Sequence, residues 1–158
     1  MEDIKKEYKR LANSKQFKNK GYFCGAFIMS DAENLSNSQW QIDFYNEENS
    51  KITTYLMQEE IEVTDNADIF KEEKTEMKEI TIENINIDAD KAISIAKYHL
   101  EKNNEEAVKV IIILQQEDIP IWNISYMTKK FNLLNMKISA EDGKLIQETT
   151  TPLLSFKQ

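Results

Sequence analysis

Few side chains in this chain are of a type that could carry catalysis. It holds one histidine, His99, and one cysteine, Cys24. A histidine can move protons near neutral pH, but it needs a nucleophile or a second acid–base group at a matching place. His99 sits in "ADKAISIAKYHLEK" at the edge of an apolar stripe, where a lone helical histidine reads as a packing or surface residue. Cys24 lies inside the apolar run "YFCGAFIM" with no base beside it, where a thiol behaves as a small hydrophobe. The carboxylates Glu59, Glu60, Glu62, Asp65 and Asp68 are dense enough to supply oxygen ligands for calcium or magnesium. However, "DNADIFKEEK" lacks the alternating D-x-[DN]-x-[DN]-G register of a calcium loop, so a solvated acidic edge is the reading preferred. No glycine-rich phosphate loop, G-x-S-x-G or H-E-x-x-H phrase occurs. The expectation is a non-enzyme with no catalytic residue, no metal and no cofactor.

Charge narrows the partners. The net charge is −8 over 158 residues, yet residues 1–20 hold seven basic groups against three acidic ones, leaving −12 on the rest. Such a surface repels a phosphate backbone, so nucleic acid is not expected as a partner. The basic start reads as the solvated face of a helix. One cysteine excludes an intramolecular disulfide framework and a cysteine-based zinc site. The apolar run "VKVIIIL" is far short of the about 20 residues that span a bilayer, so no membrane span is expected. The first residues lack the apolar core of a secretory signal. A chain complete as written is expected in the cytoplasm, and one trimmed of an export segment outside it.

The elements that would position these groups follow from periodicity. Residues 3–18 read as a helix capped by Asp3, with Ile4, Tyr8 and Leu11 on one face. "YFCGAFIM" reads as a strand and "SDAENLSNSQ" as a loop. Trp40, Ile42 and Phe44 then alternate with Gln41, Asp43 and Tyr45, as on a half-buried strand, and "KITTYLMQ" makes a third. The acidic stretch after residue 58 reads as an edge strand and a connector. Residues 88–103 form a helix capped by Asp88, with a stripe of Ala89, Ala92, Ile93, Ala96 and Leu100. "AVKVIIIL", "IWNISYM", "FNLLNMKIS" and "KLIQET" are strands, the last pair joined by a hairpin at Asp142-Gly143.

The phrase W-x-I-x-[FY] occurs at Trp40 and again at Trp122, each time after a helix and an apolar strand. Matching element order around both tryptophans points to an internal duplication, with each tryptophan anchoring a core. The fold class expected is α+β, as two tandem helix-plus-antiparallel-sheet units over residues 1–80 and 81–158.

The helix "ADKAISIAKYHL", the strand "WNISYM" and "LNMKISAEDGKLI" resemble the PepSY domain family. The likeness covers about residues 88–148, with residues 1–60 as a diverged second copy. The family's frequent hairpin aspartate and threonine are replaced by Ser139 and Asp142. The resemblance implies small cystatin-like units that act outside the membrane, some as regulators of peptidases. The function expected is non-catalytic binding of a protein or peptide through a sheet edge or face. The alternative is a small-molecule pocket between helix and sheet, lined by Tyr22, Phe27, Phe44 and Tyr126.

Overall fold

Two apolar strands, one in each half of the chain, decide the architecture by pairing with each other. The computed structural model describes residues 1–66 and 77–156. The first half runs α1 (Ile4–Ala12), β1 (Tyr22–Asp31), β2 (Gln41–Asn46), β3 (Lys51–Leu56) and β4 (Glu62–Asn66). The second runs α2 (Ala89–Lys102), β5 (Ala107–Gln116), β6 (Pro120–Thr128), β7 (Asn132–Ser139) and β8 (Leu145–Pro152). Among the described residues, all eight strands form one antiparallel sheet, ordered β4-β3-β2-β1-β5-β6-β7-β8.

This overturns the expectation of two tandem PepSY- or cystatin-like α+β units. The chain is mostly sheet with short helices, and its halves meet through β1 and β5, paired from Ala26↔Leu114 to Asp31↔Lys109. The physical reason lies in the strands themselves. As separate units, each half would leave its most apolar strand at an open edge, with unpaired backbone groups and uncovered side chains. Joined edge to edge, the two satisfy each other's backbone and merge their apolar faces.

Both helices lie on one face of this sheet. Tyr8 of α1 meets Phe23 and Phe44, with ring centroids 5.1 and 6.1 Å apart. The alanine stripe of α2 is fully buried against β6 and β7, since small side chains allow close approach. A single apolar cluster therefore runs across both halves, including Ile4, Leu11, Ile28, Ile42, Ile112 and Ile124.

At its centre the rings of Trp40 and Trp122 lie 5.9 Å apart. Trp122 stands on β6 and Trp40 directly precedes β2, the second strands of their halves. Each indole N–H donates to a carbonyl one residue before a helix cap. Trp40 Nε1 reaches Glu2 O at 2.7 Å and Trp122 Nε1 reaches Ile87 O at 2.8 Å. Asp3 and Asp88 follow directly, and their carboxylates accept from Lys5 N and Lys91 N. Each tryptophan thus fills the core and ties down a helix start at once.

Local departures from the expected elements have simple causes. The first helix ends at Ala12 rather than 18, because the Asn13 and Ser14 N–H groups close on Lys9 and Leu11 carbonyls. The Ser14 hydroxyl also donates to Leu11 O at 2.7 Å, which completes the stop. Phe17 is thereby released to pack on Phe44 and Tyr55. Residues 32–37, expected as loop, form two turns of 3-10 helix. The acidic edge strand is β4, and its presumed connector lies largely outside the described residues.

Because both indoles are almost fully buried and hydrogen-bonded, Trp122→Ala and Trp40→Ala should each cost about 3–5 kcal/mol, combining lost burial with a residual cavity. Urea denaturation of the two single variants and the double variant checks this. Since the rings touch, the double variant should lose measurably less or more than the sum of the singles. Strict additivity would show that the two sites do not communicate.

Candidate functional site

Among the described residues both α-helices lie on one side, and the opposite face of the sheet holds every second residue of the same strands. Its side chains include Gln41 and Asp43 on β2, Gln115 on β5, Asn123 and Ser125 on β6, and Asn135 and Lys137 on β7. All of these are half-buried rather than fully solvated, since neighbouring strands crowd them. Apolar Phe27, Ile111 and Ile113 lie among them on β1 and β5.

These polar groups form a connected ladder. Asn135 Nδ2 donates to Asn123 Oδ1 at 2.6 Å and to Ser125 Oγ at 2.8 Å. Asn123 Nδ2 donates to Gln115 Oε1 at 3.3 Å, and Gln115 Nε2 donates to Glu117 Oε2 at 2.5 Å. Lys137 Nζ closes the chain on Glu117 Oε2 at 2.8 Å. That ion pair holds the Glu117 carboxyl below its ordinary value. Cross-strand register dictates the ladder: Asn123 pairs with Lys137 and Ile113, and Asn135 pairs with Ser125.

The first half carries a smaller relative of this ladder. Asp43 accepts from Thr54 Oγ1 at 2.8 Å and from Gln41 Nε2 at 3.3 Å. Burial raises the Asp43 carboxyl above its ordinary value despite those two bonds, which pull the other way. Cys24 sits at a bulge between Phe23 and Gly25 and donates its S–H to Asp43 O at 3.4 Å. Burial, with the Asp43 charge adding to it, pushes the thiol up to about 12. A thiol held protonated is a poor nucleophile.

The four residues expected to line one pocket are not brought together. Phe44 and Tyr126 are buried in the core on the helix side, one in each half. Phe27 stands on the helix-free face. Tyr22 packs its ring on Tyr45 at 5.7 Å and donates its hydroxyl to the Met77 carbonyl. Among the described residues the Tyr126 hydroxyl has no hydrogen-bond partner, and burial raises that group to about 12. His99 lies between Tyr98 and Glu148, its Nδ1 3.5 Å from a Glu148 oxygen. Among the described residues no group of three or more His, Cys, Asp and Glu side chains could hold a metal. Asp68 lies outside the described residues, while Asp65 is engaged by Lys18 and Thr53.

A shallow groove runs beside α1, about 290 Å³ in volume, floored by Tyr8 and Ile82 and rimmed by Lys5, Lys9 and Glu83. Sequence patterning alone reveals neither this groove nor the amide ladder. The alternation of Asn, Ser and Asn across "WNISYM" and "NLLNMKIS" was the available signal for the ladder, but pairing register was needed to read it.

Two consequences can be measured. The native state binds the Asp43 proton more tightly than the unfolded chain does, so stability falls as pH rises from the ordinary carboxylate range through the raised value. Asp43→Asn keeps an oxygen for the Thr54 hydroxyl and removes the buried charge. It should be more stable than the parent at neutral pH, with the gap closing near about pH 4. Thermal melts across that range check it, and a variant destabilised at every pH would refute it. Likewise, Cys24 in the native protein at about pH 8 should react with a thiol reagent roughly a thousandfold more slowly than in denaturant. Equal rates would mean the thiol is open to solvent.

No family model matches the chain, and no curated protein does. These comparisons neither support nor contradict the PepSY resemblance. Among the described residues, no helix is long and apolar enough to cross a membrane. The crystal structure of a "putative lipoprotein" from Clostridium difficile 630 is similar to this one, with 12% sequence identity and a TM-score of 0.54. The alignment covers 94% of this chain and 88% of that one, so what the two share is a fold across nearly their whole length.

Proposed function

We propose that this protein is a non-catalytic binding module for a protein or peptide segment, with the helix-free face of β5, β6 and β7 as its working surface. The observation that carries this reading is the half-buried ladder of Gln115, Asn123, Ser125 and Asn135. Side-chain amides offer a donor and an acceptor each, the same pair that a peptide backbone presents. The apolar Phe27, Ile111 and Ile113 beside them would supply area without demanding a particular sequence. The Cys24 thiol, held protonated, fits a binding role better than a nucleophilic one.

A second reading, a small-molecule binding domain, draws on the groove beside α1, whose tyrosine floor and charged rim suit a partly apolar ligand. We also place the protein outside the cytoplasm, and the support for this is the lipoprotein description of the clostridial chain that shares its fold.

Selection of peptides from a random display library on the immobilised protein tests the main reading. Selected peptides should perturb backbone amide signals of β5–β7 and lose about tenfold in affinity on Asn135→Ala, which deletes the amide that orients Asn123 and Ser125 within the ladder. Peptides whose signals map to α1 and residues 82–83 would favour the groove instead. Failure to select any binder would count against a peptide partner.

A further inference from the structure

A second feature of the fold lies away from the ladder, at the tip of the β2–β3 hairpin. Three lysines converge there on a cavity of about 180 Å³, in a chain whose net charge is −8. Lys18 and Lys20 come from the segment before β1, and Lys51 from the start of β3. Asn46 and Asn49 complete the wall on the hairpin side.

The wall is held in place by backbone constraints. Gly21 has φ +80°, and a Cβ there would stand 2.1 Å from the Tyr45 carbonyl oxygen, so only glycine lets this segment lie against the end of β2. Lys18 N–H donates to the hydroxyl of buried Tyr55 at 3.1 Å, which fixes the other end of the segment. On the hairpin, Ser50 takes φ +54° to close the turn.

The lining is almost entirely hydrogen-bond donors. Asn46 Oδ1 accepts from Glu48 N at 3.0 Å and Asn49 Oδ1 accepts from Lys51 N at 3.1 Å. Their oxygens are spent inside the turn, which leaves the two amide NH₂ groups as the ends available to a ligand. The one carboxylate, Asp65, is already met by Lys18 and by the Thr53 hydroxyl at 3.1 Å. Lys20 and Lys51 have no ion-pair partner among the described residues. Three ammonium groups against one carboxylate leave an excess of two positive charges, matching a doubly charged oxyanion.

We propose that this cup binds a phosphate group, held by Lys20 and Lys51 with the amides of Asn46 and Asn49 as further donors. Lysines act as mobile point charges toward phosphate, and short amide donors supply direction. The phosphate could belong to a small phosphomonoester or to a monoester lipid headgroup, and both present three terminal oxygens to the cup.

Titration of the isotopically labelled chain with inorganic phosphate, at constant ionic strength with chloride as balance, tests this. Amide shifts should be confined to residues 18–21, 46–53 and 65. The Lys20→Gln/Lys51→Gln variant should bind about tenfold more weakly or worse, having lost both unpaired ammonium groups. Asp65→Asn, which removes the competing carboxylate, should bind more tightly, and a merely structural cluster would not respond in this direction. Dispersed spectra of each variant establish that it is folded. A parallel sedimentation assay with phosphatidic acid vesicles separates the sources. Vesicle binding lost in the double-lysine variant assigns a headgroup, and phosphate binding without vesicle binding assigns a small ligand. Shifts equal to those caused by chloride, together with no lysine-dependent vesicle binding, would overturn the proposal.

Discussion

Everything in this structure depends on the pairing of β1 with β5. Those strands carry the most apolar runs in their halves, and each covers what would be the other's open edge. Their antiparallel union turns the two halves to face each other, which brings Trp40 and Trp122 into ring contact beneath the sheet. The contact is possible only in this arrangement. Two tandem units with separate sheets would place each tryptophan in its own core, with no reason for their rings to meet. The indole N–H groups then carry the order outward, since each fixes the carbonyl just before a helix cap. Burial of a large ring and satisfaction of its polar atom are thereby achieved by one geometry, used twice.

The one-sided placement of the helices follows from the same constraint. Side chains on a strand alternate between faces, so a tryptophan pair on one face commits both helices to that face. The opposite face cannot then build a core of its own. It carries amides, hydroxyls and a few apolar side chains in a half-buried setting, and hydrogen bonds within the ladder satisfy these groups without removing them from water. Asp43 shows the cost of that compromise, because its surroundings resist its charge even though Thr54 and Gln41 bond to it. A more fully hydrated carboxylate would not be pushed upward.

Much of the local structure was legible in the residues. The Asp3 and Asp88 caps, the alanine stripe of α2, and the alternation around both tryptophans are short-range patterns, and each appears where periodicity places it. The hairpin at Asp142-Gly143 is local in the same way, with Gly143 at φ +79°. What could not be read was which strand pairs with which. "YFCGAFIM" and "AVKVIIIL" each announce a buried strand, but nothing in either run names its neighbour eighty residues away. The four residues named for a pocket stand apart for a related reason. Strand register puts Tyr22 and Phe27 of the first half on the face opposite the helices, and Phe44 and Tyr126 in the core beneath them, one in each half. The lysine cup was hidden in the same manner, since its parts come from three separated segments and become neighbours only through the tight approach of Gly21 to Tyr45.

Among the described residues the sheet ends at β4 and β8, and its composition shows why. Its central strands bury an unbroken apolar face, with Ala26 and Ile28 on β1, Val110, Ile112 and Leu114 on β5, and Trp122, Ile124 and Tyr126 on β6. Toward one margin, β4 is five residues long and carries Glu62 and Asp65. Toward the other, β8 reads "LIQETTTP", with Thr149 and Thr150 exposed and Pro152 lacking a backbone donor. Its Glu148 is tethered to α2 by Asn103 at 3.0 Å and faces His99 at 3.5 Å, which holds the last strand against the helix layer by polar contacts. Apolar content therefore falls from the centre of the sheet to both edges. A ninth strand would find little apolar surface to bury against β8, and a charged short strand at β4, so among the described residues the outer backbone groups of these two strands are left to water or to a partner. The same gradient that locates the core at β1 and β5 thus sets the width of the sheet.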